Sequence, residues 1–80
     1  MPLSALVITL SDEPSARARA RRSLAAEAAL SLGPPVGSRL PAIAETATLL
    51  AGEELVERVF RTHGVDFVDV ISVDFSDLEP

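Results

Sequence analysis

The side chains that could do chemistry are few and scattered. His63 is the single histidine, there is no cysteine, and the carboxylates fall into two loose groups. Asp66, Asp69 and Asp74 interrupt a Val-rich run, while Glu53, Glu54 and Glu57 crowd a helical one. Paired carboxylates do acid–base work only where a site holds them against a substrate proton and tunes their pKa values. Solvation of a surface explains these ones without a reaction. A lone histidine and no thiolate leave a metal short of donors, and soft-metal delivery in particular lacks its cysteine pair. No phosphate-binding Gly loop and no nucleophile motif is present. The sequence therefore predicts no enzyme, no metal and no cofactor. His63, beside Gly64, reads as a cation at a helix end.

Eighty residues with a net charge of −5 bound the class. A chain this short forms one domain, over residues 1–80, with a modest core. Its acidity argues against nucleic acid, whose binders carry basic patches. All seven basic residues are Arg. The three aromatics, Phe60, Phe67 and Phe75, make no stacking platform for bases or sugars. No stretch approaches the roughly 20 apolar residues of a membrane span, and the N-terminus lacks the basic flank and long apolar run of a signal peptide. The expectation is a soluble cytoplasmic protein.

The elements that position these residues can be read in order. Leu3–Leu10 is apolar on both faces and β-branched at its centre, as a central strand is. Ser11-Asp12-Glu13-Pro14 starts a helix, with Asp12 or Ser11 as cap and Pro14 in the first turn. That helix runs to about Ala28 and presents a thin stripe of Ala16, Ala20, Leu24 and Ala28. Arg21-Arg22-Ser23-Leu24 superficially resembles a twin-arginine export signal, but Glu27 interrupts what should be its hydrophobic region, and these Arg read as a solvated helix face.

Leu30–Gly33 is a short strand ended by Pro34-Pro35, Gly37-Ser38 is a turn, and Leu40–Thr46 returns, with regular pairing expected only after Pro41. A second helix covers roughly Glu53–Thr62, with an earlier start left open, carries Leu55, Val56, Val59 and Phe60 on one face, and is capped by Gly64. Val65–Phe75 has strand composition behind a turn, and residues 76–80 read as a frayed tail. The order strand, helix, strand, strand, helix, strand is the split βαβ, or ferredoxin-like, plan of an α+β fold. Right-handed crossovers place both helices on one face of a four-stranded antiparallel sheet.

The other face is the candidate site. Strand alternation directs Val68 and Val70 to the helices and Asp69, Ile71, Val73 and Phe75 to the open side. With Val7 and Ile43 these form an apolar patch, with Asp69 on its acidic fringe. A large exposed apolar patch marks an interaction surface, here for a peptide or for a second copy in a weak homodimer.

Three places carry a family resemblance. Leu3-Ser-Ala-Leu-Val-Ile resembles the opening strand of the NapD-type assembly chaperones of periplasmic nitrate reductase. Gly37-Ser-Arg-Leu-Pro-Ala-Ile-Ala-Glu45 is similar to their third strand, and Gly64-Val65 with Val68-Asp-Val-Ile to their closing turn and strand. The resemblance spans nearly the whole chain. It implies a cytoplasmic chaperone that binds the twin-arginine signal peptide of the molybdenum-cofactor-containing catalytic subunit and delays export until the cofactor is inserted. On that reading Asp69 and Glu45 attract the arginines, while Val7, Ile43, Ile71, Val73 and Phe75 receive the apolar segment. The alternative is a regulatory domain of the same fold that binds a small ligand as a dimer.

Overall fold

The computed structural model describes residues 2–74. Within them the chain forms β1 (Leu3–Leu10), α1 (Pro14–Ala25), β2 (Leu30–Leu32), β3 (Arg39–Glu45), α2 (Leu49–Arg61) and β4 (Val65–Asp74). The sheet runs β2-β3-β1-β4 and every neighbouring pair is antiparallel, which is the ferredoxin-like order. The expected fold class is therefore the observed one.

Alternation along the strands sorts the sheet into two faces. Leu6, Ile8 and Leu10 of β1, Leu40, Ala42 and Ala44 of β3, and Val68 of β4 are buried beneath the helices. Ala20 and Leu24 of α1 and Leu55 and Val59 of α2 close over them. No polar or charged side chain enters this core among the described residues, so its stability rests on apolar burial and fit.

The helices start where local chemistry can satisfy their first N–H groups. Glu13, and neither Ser11 nor Asp12, caps α1. Its carboxylate accepts from the backbone N–H of Ser15 and Ala16 and from the Ser15 hydroxyl. Pro14 at the first helical position fixes the cap at residue 13. Ser11 instead accepts the Glu13 N–H through its hydroxyl. These bonds hold the Glu13 carboxyl below its ordinary pKa, the Ser15 hydroxyl contributing most.

The first helix ends at Ala25, three residues short of expectation, because the chain must turn to bring Leu30 into the sheet. In that turn Leu30 N–H donates to Glu27 O, and the Glu27 carboxylate takes the Arg58 guanidinium of α2 at 3.2 Å. The second helix takes the earlier of its possible starts, at Leu49, because the Thr48 hydroxyl accepts the Ala51 N–H at 3.1 Å.

Pro41 sits in an inner strand without breaking it. Odd-numbered residues of β3 direct their backbone groups to the β2 side: Gly33 N–H donates to Pro41 O, and Glu45 N–H donates to Ala29 O. The N–H that Pro41 lacks would point to where β2 has already ended at Leu32. Its pairing with Val7 of β1 is untouched. The expectation of regular pairing only beyond Pro41 therefore holds toward β2 and fails toward β1, where β3 pairs from Arg39 onward.

Candidate functional site

The face of the sheet away from the helices is built row by row from the strand register. Opposite Thr9 stand Phe67 and Arg39; opposite Val7, Asp69 and Pro41; opposite Ala5, Ser72 and Ile43; and opposite Leu3 stands Glu45. Small Ala5 at the centre leaves a groove of about 330 Å³ between its taller neighbours. Val7, Leu32, Pro41, Ile43 and Ile71 are among the residues that line it. Ile43 and Ile71 are 45% and 63% exposed, values that mark uncovered apolar surface, not the rim of a core.

Most residues expected on this face are brought together there. Val7, Ile43 and Ile71 share the groove, Asp69 stands beside Val7, and Glu45 beside Leu3. The two carboxylates do not form one cluster. They lie on the outer flanks of β1, two strands apart, and four residues apart along it. Strand rise and spacing then put their Cα atoms about 16 Å apart.

A register shift separates Ile71 from the residues that follow it. Ser72 pairs with Ala5 and Val70 with Leu6, so Ile71 is one residue more than β1 supplies. This is a β-bulge, and it resets the alternation beyond it. Ser72 takes the position beside Ala5, and the backbone of Val73 falls opposite Ser4. Phe75 lies outside the described residues.

Sequence reasoning missed several residues of the surface. Pro41, Leu32 and Gly33 line the groove, and Arg39 stands opposite Thr9 at the end of the same face. Pro41 was legible as a strand breaker but not as a surface residue. Val70 faces the helix side as expected yet is 48% exposed. It lines a second apolar cleft, of about 370 Å³, with Pro2, Ser4, Leu49, Gly52 and Val56.

The remaining chemistry is sparse. His63 is exposed and lies near Glu13, whose carboxyl it helps, in small part, to keep ionised. Among the described residues no three His, Cys, Asp or Glu side chains converge as a metal ion would require. Nor, among the described residues, is any helix long and apolar enough to cross a membrane. Compared with known proteins, the chain matches no family model, no curated protein and no solved structure.

Proposed function

We propose that this chain is a chaperone of the NapD type. It holds the twin-arginine signal peptide of a molybdenum-cofactor nitrate reductase catalytic subunit on the open sheet face, in the cytoplasm, and so delays export until the cofactor is inserted. The observation that carries the reading is the open face itself: a groove lined by Val7, Pro41, Ile43 and Ile71, with Asp69 and Glu45 on the same face on either side of β1. A signal peptide offers the complement of both, an apolar segment and an arginine pair. Electrostatic complementarity of this kind sets encounter and register, while apolar burial supplies affinity. Consecutive side chains of an extended segment project to opposite sides. An arginine pair crossing the β1 row thus directs one guanidinium toward each carboxylate. Each guanidinium–carboxylate contact is charge-assisted.

Titration calorimetry with a synthetic twin-arginine signal peptide from a molybdenum-containing reductase tests this. One-to-one binding, weakened when the arginine pair is replaced by Lys-Lys, is the expected result. No binding to several such peptides would refute it.

One observation favours a second reading, a regulatory domain that takes a small ligand and acts as a dimer. The cleft between α2 and the sheet, at about 370 Å³, lies within the size range of small-molecule sites and is apolar as they are. Thermal stabilisation by small apolar acids or amino acids, in the absence of peptide binding, would favour it.

A further inference from the structure

Arg39 and Glu45 are the two ends of the same strand and lie on the same open face. Between them on that face stand only Pro41 and Ile43. The surface is thus apolar in the middle, positive at one end of β3 and negative at the other. A two-fold axis lying across the strands would stack β3 on the β3 of a second copy in the opposite direction. Arg39 of each copy then meets Glu45 of the other, and Pro41 meets Ile43. On β1 the same operation sets Val7 over Ala5. On β4 it sets Asp69 over the Ile71–Ser72 bulge at the rim, where no like charge faces it. A two-fold axis along β1 would instead set Asp69 over Pro41 and leave Arg39 and Glu45 without opposite charges.

We propose that this face pairs with a second copy of the chain in that antiparallel, isologous arrangement. A two-fold interface must be self-complementary, and the Arg39–Glu45 polarity makes this one so. Sheet-on-sheet stacking with strands aligned to within about 30° is a standard packing mode and accommodates the contact. The size of the face sets its strength. Four rows on β4, β1, β3 and the short β2 give a footprint of about 20 by 14 Å. That is well under the roughly 800 Å² per partner of a stable specific interface. The dimer is therefore weak and reversible, formed at high protein concentration. Because it covers the same groove, anything bound to the open face excludes it. The pairing does not rest on the peptide reading and is tested without a peptide.

The experiment is sedimentation equilibrium up to millimolar concentration on four chains: wild type, Glu45→Arg, Arg39→Glu and the double exchange. Circular dichroism checks that each exposed substitution keeps the fold. Wild type should show a reversible monomer–dimer equilibrium. Each single exchange faces like charges across the axis twice and should weaken dimerisation by about tenfold or more, and the double exchange should restore it. A wild type that stays monomeric throughout would overturn the proposal. So would single exchanges that leave the equilibrium unchanged, or a double exchange that fails to recover it.

Discussion

Glu45 and Asp69 stand on the same open face, on the two strands that flank β1, about 16 Å apart by strand geometry. This separation decides how the surface would read a peptide. Groups more than 7–10 Å apart with no shared partner act almost independently. Glu45→Lys and Asp69→Lys should therefore each weaken binding of the twin-arginine peptide by about three- to thirtyfold, the range for a partly exposed charge contact. Their effects should multiply in the double variant. Calorimetry on the three variants checks this, and a double variant no worse than either single one would mean that the carboxylates share one arginine.

The apolar floor should matter differently. Ile43 is half exposed on the open face and contributes nothing to the buried core. Ile43→Asp should leave thermal stability within about 0.5 kcal/mol of wild type, as surface changes do, while abolishing measurable peptide binding. Denaturant unfolding and calorimetry on the same sample separate the two effects.

Gly64 is where the fold tolerates least. Its φ is 92°, and an added Cβ would collide with the carbonyl oxygen of Ala16 and crowd the Ala20 side chain. Its own carbonyl accepts the Ser11 N–H at 2.7 Å, which ties the ends of β1 and α2 together beneath α1. Gly37 also has positive φ, 62°, but faces open space. Gly37→Ala should cost about 1–2 kcal/mol for its left-handed backbone alone. Gly64→Ala should cost distinctly more, because backbone must move as well. Urea midpoints compared for the two variants decide it.

The Glu13 cap links stability to pH. Its folded pKa is lowered, chiefly by the Ser15 hydroxyl and then by the Ala16 N–H. A carboxyl with a depressed folded pKa stabilises the fold above its unfolded value, and that contribution is lost as pH falls through the folded value. The loss thus begins below the ordinary value of 4.5. Glu13→Gln should lower the melting temperature at pH 7 and flatten its fall between pH 4.5 and the acid limit. Melting curves at several pH values provide the check; unchanged acid sensitivity would assign it to other carboxylates.

The fold was legible because its signals are local and repeated. The strand order, the buried face of β1 and the Leu55–Val59 stripe of α2 follow from residue type and period. Helix boundaries were less so. Glu13 outcompetes Asp12 as a cap through the position of Pro14, and Thr48 starts α2 ahead of Glu53. The register of β4 was legible up to Ile71, and the bulge at that point was not. A bulge depends on two strands at once, and no pattern within β4 alone marks the extra residue. The charge at the end of the open face was equally hidden. Arg39 falls between the Gly37-Ser38 turn and the expected start of the strand at Leu40 until the β1–β3 register places it opposite Thr9.

The central claim is that the open face, and no other surface, receives a twin-arginine signal peptide. Amide and methyl chemical shifts recorded during titration with that peptide test it most directly. The account predicts saturable shifts at Val7, Ile43, Ile71 and Asp69, with Leu49 and Val56 of the opposite cleft unmoved. Shifts centred on Leu49, Val56 and Val70, or none at saturating peptide, would contradict it.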